Sequence, residues 1–182
     1  MKSSASLTNR QKARPPAHTK LTVLGSTGSI GLNTLDIVRQ FPQKFRIEAL
    51  SCRNSIERLV EQIKEFKPRL VCVDTNEQVR ELRETFGRGD SGPETVFVWG
   101  AEGLAQISSD PEVDLVVAGI VGGAGLGPTF SAVEAGKTVA VANKEPLVMA
   151  GELFVKTAKK TGAKLLPTDS EHNAIFQALH DE

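Results

Sequence analysis

The chain has little aromatic material, few cysteines and no long apolar run. Its 182 residues include no tyrosine, one tryptophan and two cysteines. A surface that stacks nucleic-acid bases needs aromatic side chains, so their shortage argues against a nucleic-acid partner. The apolar stretches around 115–121 and 139–142 are far shorter than the roughly 20 residues that span a bilayer, which argues against a membrane protein. Cys52 and Cys72 are too few for a disulfide framework or a zinc site, and we expect both to be buried near strand ends.

The formal net charge of zero hides an uneven distribution of charge. Residues 1–20 contain five cations and no acid, so all 22 acidic residues follow them and the remainder is net acidic. A net acidic domain lacks the basic surface of a nucleic-acid-binding protein. We expect residues 1–19 to form a disordered basic leader. Without a secretory signal, the sequence predicts a bacterial cytoplasmic protein, or a plastid protein if the leader is a targeting segment.

From Lys20 onward, segments with strand and helix periodicity alternate along the chain. We predict strands at 21–24, 45–50, 70–73, 96–99, 115–118, 138–142 and 164–167. We predict helices at about 30–41, 56–66, 77–86, 101–107, 128–135 and 146–161, with another beginning near residue 173. This alternation indicates an α/β fold, a doubly wound and mostly parallel sheet of the Rossmann-like type.

A glycine-rich turn follows the first predicted strand directly and leads into the first predicted helix. It reads Gly25-Ser-Thr-Gly-Ser-Ile-Gly31. Glycines let the backbone approach a ligand, and the unpaired N–H groups and positive dipole end of a helix suit a diphosphate. Thr27 and Ser29 can donate hydroxyl groups to phosphate oxygens, and Gly31 lets the helix pack tightly on the strand. The strand–turn–helix context predicts a dinucleotide site, with a plain Gly-rich capped turn as the alternative.

The residues after the second predicted strand indicate which dinucleotide is bound. Enzymes that prefer NAD usually place an acid here to bond the ribose 2′-hydroxyl. This chain instead has Arg53, Asn54 and Ser55. A guanidinium can hold a 2′-phosphate through two hydrogen bonds, so we predict NADP(H). The alternative for Arg53 is an exposed cation that precedes a helix.

Two further loops leave the predicted carboxyl edge of the sheet, where ligands of open α/β sheets bind. The loop at residues 119–125 is rich in glycine and would let a flat ring or a ribose lie against the backbone. The second loop, Asn143-Lys144-Glu145, combines an amide, a cation and a carboxylate just before a helix. Glu145 also fits a simpler role, in which it stabilises the helix dipole.

The segment after the last predicted strand is dense in polar side chains. Asp169 and Glu171 stand two residues apart, beside Ser170, His172 and Asn173. Oxygen ligands of this kind suit Mg²⁺ or Mn²⁺, which keep waters and accept substrate oxygens as further ligands. An N-cap with acids in the first helical turn is the alternative.

Three of these segments together resemble one enzyme family. The glycine-rich turn, Ala142-Asn-Lys-Glu145 and Leu166-Pro-Thr-Asp-Ser-Glu-His-Asn-Ala-Ile-Phe-Gln177 closely resemble the 1-deoxy-D-xylulose 5-phosphate reductoisomerases, from about Lys20 onward. The family pattern usually has Gly-Lys/Arg-Asn after the second strand and Ser at position 146, where this chain has Arg53-Asn-Ser55 and Pro146. The position that meets the 2′-phosphate is therefore open among residues 53–55.

The resemblance implies a role for each of several residues. Cofactor binding falls to Thr27, Gly28, Ser29, Ile30, Arg53, Asn54, Ser55, Asn143 and Glu145. Lys144, Ser170 and Glu171 would contact substrate, Lys144 and Glu171 would be catalytic, and Asp169 and Glu171 would bind the metal. The implied cofactors are NADPH and Mg²⁺ or Mn²⁺, with Co²⁺ as a further option. The implied partner is a small sugar-phosphate substrate, and the full-length enzyme would be a homodimer.

The implied activity is the NADPH-dependent and metal-dependent conversion of 1-deoxy-D-xylulose 5-phosphate to 2-C-methyl-D-erythritol 4-phosphate in isoprenoid biosynthesis. We expect a cofactor domain at 20–163 and the start of a catalytic domain at 164–182. Family members continue for roughly as many residues again, so we expect this chain to bind cofactor without turnover. The alternatives are an NADP-dependent oxidoreductase of the homoserine or aspartate-semialdehyde dehydrogenase type, and a stand-alone nucleotide-binding module.

Overall fold

The structure, a computed structural model, describes residues 18–87, 95–142 and 145–168. Within these residues strands and helices alternate along the chain. The strands are β1 (Thr19–Leu24), β2 (Phe45–Ser51), β3 (Leu70–Val73), β4 (Val96–Trp99), β5 (Leu115–Ala118), β6 (Thr138–Val141) and β7 (Lys164–Pro167). The helices are α1 (Ser29–Gln40), α2 (Ile56–Phe66), α3 (Asn76–Phe86), α4 (Gly100–Ser109), α5 (Leu126–Glu134) and α6 (Glu145–Thr161), with a 3₁₀ turn at Gly123–Gly125 before α5.

The described strands form one seven-stranded sheet in the order β4-β3-β2-β1-β5-β6-β7, and every neighbouring pair is parallel. The chain builds outward from β1 to β4 and then returns to place β5 on the other side of β1. This reversal confirms the predicted doubly wound α/β fold. The loops that leave β1 and β5 diverge at the reversal and open a crevice at the carboxyl edge of the sheet.

Helices cover both faces of the sheet and bury two separate apolar clusters. On one face, Leu35 of α1, Leu59 of α2 and Leu82 of α3 are fully buried in one cluster. On the other face, α4, α5 and α6 contribute buried apolar residues, among them Ile107 and Phe154. Burial of each such side chain stabilises the fold by about 1.5–3 kcal/mol. These two apolar clusters hold in place the helices whose first residues lie at the crevice.

The predicted bounds of α2, β3, β4, β5 and β7 match the structure, and the other elements differ at their ends by one or two residues. Residues 146–161 were predicted as one helix, but Ala150 interrupts α6 with φ −145° and ψ 27°. Ile30, to which the family resemblance gives a role in cofactor binding, lies in the first turn of α1 and is 37% exposed.

The ends of the chain bear on two further predictions. β7 pairs with β6 in the same sheet, so Lys164–Pro167 completes an edge of this sheet. The domain boundary before residue 164 stays a prediction. The basic leader and the helix beginning near residue 173 lie outside the described residues, apart from residues 18 and 19. Among the described helices, none is long and apolar enough to cross a bilayer.

Candidate dinucleotide site

The glycine turn, residues 25–31, brings the start of α1 into close backbone contact with the two residues that follow β1. Gly25 has φ 75°, a left-handed conformation that favours glycine. At Gly31, a Cβ atom would lie 2.5 Å from the carbonyl oxygen of Gly25 and from the Cα of Ser26. Only a residue without a side chain fits there, so the sequence itself sets how closely α1 approaches the turn. The predicted function of Gly31 in helix packing is therefore seen in the backbone geometry.

The first turn of α1 has the properties of an anion-binding helix end. Its N-cap is Gly28, no side chain caps it, and no acidic residue lies in the first turn. The leading N–H groups of a helix have no intrahelical partner and carry a partial positive charge. Ser29 and Ile30 supply two of these groups, and both residues are exposed. The arrangement suits a diphosphate.

A buried polar cluster, formed by Ser26, Ser51 and Gln62, holds the glycine turn in place. Gln62 of α2 is 3% exposed, and its Nε2 donates to the Ser26 carbonyl oxygen at 3.0 Å. The Ser26 hydroxyl donates to Gln62 Oε1 at 2.7 Å. On the other side, the amide of Gly25 donates to Ser51 Oγ at 2.9 Å. Buried polar groups that are fully paired fix one geometry, because each broken bond leaves an unsatisfied group.

Arg53 lies where β2 ends, at the rim of the crevice. Its Nε is 3.5 Å from Asp74 Oδ2 at the end of β3, and its side chain is 73% exposed. The carbonyl oxygen of Arg53 accepts from Gln78 Nε2 at 2.8 Å, which anchors the backbone of this loop to α3. Asn54 and Ser55 follow and are also exposed. The residues predicted to bind the 2′-phosphate are thus accessible at the rim of the crevice, and the backbone of their loop is held in place.

The two cysteines are buried near strand ends, as predicted, with Cys52 directly after β2 and Cys72 in β3. Cys52 Sγ is 3.2 Å from Thr27 Oγ1, so it links the β2 end to the glycine turn. Burial, with a smaller contribution from Asp74, raises the pKa of the Cys72 thiol to about 12. The thiol of Cys72 is therefore neutral and unreactive at physiological pH.

These elements enclose a cavity of about 540 Å³ at the carboxyl edge of the sheet, within the range of small-molecule sites. Its lining includes five of the predicted cofactor residues: Thr27, Gly28, Arg53, Asn54 and Ser55. Val73 and Asp74 at the end of β3 and Leu104 of α4 also line it. So do Gly119, Ile120, Val121 and Ala124 from the predicted glycine-rich loop after β5. The structure therefore brings the first, second and fifth strand ends together around one space.

Two residues near this cavity escaped prediction from the sequence. The Nη1 of Arg58, in the first turn of α2, donates to the Thr27 carbonyl oxygen at 3.1 Å. Gln62 is the second, through its bonds to Ser26. A signal for Gln62 was present, because it interrupts the apolar face formed by Leu59 and Ile63. Arg58 occupies an ordinary exposed helix position, and the sequence carries no signal for it.

The predicted metal and substrate residues are only partly described. Asn143, Lys144, Asp169, Ser170 and Glu171 lie outside the described residues, and Glu145 begins α6 and is partly buried. Within residues 18–87, 95–142 and 145–168, no three His, Cys, Asp or Glu side chains group as a metal site would require. Thr168 continues β7 at the carboxyl edge, where its amide donates to the Val141 carbonyl oxygen. Because the strands are parallel, this is the edge that carries the glycine turn.

Comparison with known sequences identifies one enzyme family. The family model for 1-deoxy-D-xylulose 5-phosphate reductoisomerase matches residues 21–151. The reductoisomerase of Shouchella clausii is 47% identical over 163 residues, which is 90% of this chain and 42% of that protein. That of Prosthecochloris aestuarii is 50% identical over 159 residues, 87% of this chain and 41% of that protein. The chain thus spans about two-fifths of the length of these curated relatives.

Solved structures agree with the sequence matches. A DOX-P reductoisomerase in complex with NADPH, fosmidomycin and magnesium superposes with a TM-score of 0.82 at 48% identity, covering 87% of this chain and 38% of that one. The Zymomonas mobilis enzyme in complex with NADPH gives 0.81 at 37% identity, covering 88% and 41%. A homoserine dehydrogenase from Thiobacillus denitrificans gives 0.51 at 18% identity over 82% of this chain and 29% of that one, which shows a shared fold only.

Proposed function

This chain belongs to the 1-deoxy-D-xylulose 5-phosphate reductoisomerase family, and we propose that it carries the NADPH-binding part of such an enzyme. The whole protein would convert 1-deoxy-D-xylulose 5-phosphate to 2-C-methyl-D-erythritol 4-phosphate in isoprenoid biosynthesis. The observation that carries the proposal is the cavity of about 540 Å³, which the glycine turn and the ends of β2 and β5 enclose at the switch point of the sheet.

The residues present fit NADPH. The glycine turn leaves room for a diphosphate because α1 starts without a capping side chain, and Gly31 holds that helix against the turn. Ser29 and Ile30 would hold the diphosphate through backbone N–H groups, and Thr27 and Ser29 through hydroxyl groups, while Gly28, whose own amide donates to the Gly25 carbonyl oxygen at 3.1 Å, would let the backbone approach it closely. The 2′-phosphate would lie against residues 53–55, at the exposed end of the cavity. Solved relatives in complex with NADPH support this assignment.

The other end of the cavity suits the nicotinamide half. Gly119 approaches β1 so closely that a Cβ there would lie 2.8 Å from the Leu24 carbonyl oxygen. Ile120 and Val121 add an apolar wall that excludes water from a flat ring. Asn143 and Glu145 would lie near the nicotinamide, as the family resemblance implies.

Asp169 and Glu171 would hold a divalent ion, Mg²⁺ or Mn²⁺ or alternatively Co²⁺, with Ser170 and Lys144 on the substrate. Two carboxylates and a hydroxyl are the donor set that such ions prefer, and solved relatives in complex with magnesium support it. When bound, the cofactor supplies a hydride and the ion polarises substrate oxygens. Lys144 would place a positive charge beside the substrate, and Glu171 would bind both the ion and the substrate.

A binding titration tests the proposal. The 182-residue chain is titrated with NADPH and with NADH by isothermal titration calorimetry, with and without Mg²⁺ or Mn²⁺. We expect NADPH to bind at micromolar or weaker Kd and at least about tenfold more tightly than NADH, because a charge-assisted contact to the 2′-phosphate contributes on the order of 1.5–3 kcal/mol. Equal affinities, or no binding of either cofactor, would count against it.

An activity assay separates the remaining alternatives. The chain is incubated with NADPH, Mn²⁺ and 1-deoxy-D-xylulose 5-phosphate, and absorbance of the reduced nicotinamide is followed. We expect cofactor binding without turnover from this chain, and homodimers and turnover from the full-length protein. Turnover by the 182-residue chain would refute the first expectation. NADPH oxidation with an aspartate semialdehyde in place of the pentulose phosphate would favour the homoserine dehydrogenase type.

A further inference from the structure

Arg58 connects α2 to the glycine turn. It lies in the first turn of α2, is exposed, and its Nη1 donates to the Thr27 carbonyl oxygen at 3.1 Å. Thr27 lines the cavity, so this bond holds the guanidinium at the cavity edge. A guanidinium has five N–H donors in a rigid plane, so one bond to Thr27 orients the group and leaves donors for an anion.

Arg53 alone is a weak candidate for the cation that meets a 2′-phosphate. Its Nε is 3.5 Å from Asp74 Oδ2, and the two side chains are 73% and 49% exposed. The carboxylate offsets part of the positive charge of Arg53, and water screens the rest. A phosphate beside Arg53 would also lie near Asp74, which repels it. A second cation near the loop would therefore strengthen the binding of a phosphate.

Arg58 provides that cation in a shallow hollow beside the cavity. The hollow shares Asn54 and Ser55 with the cavity, and its lining includes Arg58 together with the carboxylates of Glu57 and Glu81. Arg58 is the one cation among the residues that line this hollow. Glu57 and Glu81 outweigh Arg58, so the hollow is net negative even with this cation. Among the described residues no carboxylate forms an ion pair with Arg58, so its guanidinium is the group in the hollow that can attract and hydrogen-bond a phosphate.

We propose that Arg58 is a specificity-determining residue, which binds the 2′-phosphate of the cofactor between Asn54, Ser55 and the Thr27 carbonyl and so selects NADPH over NADH. The inference rests on the proposed function, since it requires that the cavity bind this cofactor. Arg53 then contributes a further positive charge from the end of β2. The position of Arg58 also keeps the glycine turn and α2 together when the cofactor is absent.

The test compares two variants of α2 with equal loss of charge. In Arg58→Gln the cation of the hollow is removed, and in Lys64→Gln an exposed cation in the last turn of the same helix is removed. Each variant of the 182-residue chain is titrated with NADPH and NADH by calorimetry. We expect Arg58→Gln to weaken NADPH binding about tenfold and NADH binding less than about twofold. We expect Lys64→Gln to leave both unchanged. Arg58→Lys, which keeps the charge and loses the planar fork, should fall between wild type and Arg58→Gln.

The outcomes separate this inference from the function on which it rests. If wild type prefers NADPH but Arg58→Gln weakens both cofactors equally, Arg58 only holds the turn and the inference is wrong. Unchanged binding in Arg58→Gln, with the wild-type preference intact, also overturns it. If wild type itself does not prefer NADPH, the proposed function fails and the inference falls with it. Since Arg58 is exposed, we expect the melting temperature of Arg58→Gln to match that of wild type. If it does not, Arg58→Lys gives an independent measurement of the effect on cofactor binding.

Discussion

Replacing Gly31 with alanine tests how closely α1 must approach the glycine turn. The added Cβ would lie 2.5 Å from three backbone atoms: the Gly25 oxygen and the carbonyl carbon and Cα of Ser26. Contacts this short do not occur in folded proteins, so backbone has to move by at least about 0.5 Å in a closely packed region. No side-chain rotation relieves the clash. Ser26 is also held by its 2.8 Å amide bond to the Ser51 carbonyl oxygen.

The magnitude follows from these contacts. Overpacking against a rigid core costs about 1–3 kcal/mol, and contacts with fixed backbone belong at the upper end of this range. Alanine regains up to about 1 kcal/mol of helix propensity, so we expect a net loss of about 2 kcal/mol in the free energy of unfolding. Because the moved atoms form the turn, NADPH affinity should fall at least about tenfold, which corresponds to about 1.4 kcal/mol.

The assay is urea unfolding followed by circular dichroism, with calorimetric titration of NADPH on the same samples. Gly127→Ala is the matched control, because Gly127 lies in α5 and its added Cβ would meet nothing within 4 Å. We expect this control to be as stable as wild type or more stable, by up to about 1 kcal/mol, with unchanged NADPH affinity. If Gly31→Ala behaved like Gly127→Ala in both measurements, the packing argument would be refuted.

Three other predictions follow from the same contacts. Gln62→Ala should lose about 3 kcal/mol of unfolding free energy and weaken NADPH binding, because it leaves the Ser26 hydroxyl and carbonyl without their partner. The control Glu61→Ala, on the exposed face of the same helix, should change stability by less than about 0.5 kcal/mol. Equal losses of stability for the two variants in urea unfolding would contradict this prediction. Arg53→Ala should weaken NADPH binding on the order of tenfold and NADH much less; equal losses in the titration would reject its assignment to the 2′-phosphate. The pKa of Cys72 is raised from 9.0 to about 12, so the unfolded thiol loses its proton first and stability should fall as pH rises above about 9, by up to about 1.4 kcal/mol per pH unit. Urea unfolding at about pH 8 to 10.5 should show this slope in wild type and a shallower one in Cys72→Ala; parallel profiles would argue against it.

Local sequence signals were enough to predict the sheet. β3 and β5 are short apolar runs between helix-ending and turn residues, and their bounds matched because buried strands of a parallel sheet need continuous apolar residues. The interruption of α6 at Ala150 was not predicted. The apolar pattern continues through that residue, and its backbone angles depend on packing that periodicity does not report.

The glycine turn was also predictable, since strand, turn and helix are adjacent in the sequence. The residues that hold it were not. The bond between Gln62 and Ser26 joins positions 36 apart, and the bond between Arg58 and Thr27 joins positions 31 apart. Such pairs meet only after β1 and β2 are aligned in register and α2 packs back onto the sheet. A single sequence gives the side chains but not their partners.

The most direct test of the central claim is a two-dimensional NMR titration of the ¹⁵N-labelled chain with NADPH. If the opening of α1 holds the diphosphate, the amide signals of Gly28, Ser29 and Ile30 should shift most, together with those of Arg53 and Asn54 at the 2′-phosphate end. NADH should shift the first group and leave the second nearly unchanged. Shifts confined to other surfaces, with the α1 amides unmoved at saturating NADPH, would contradict the account.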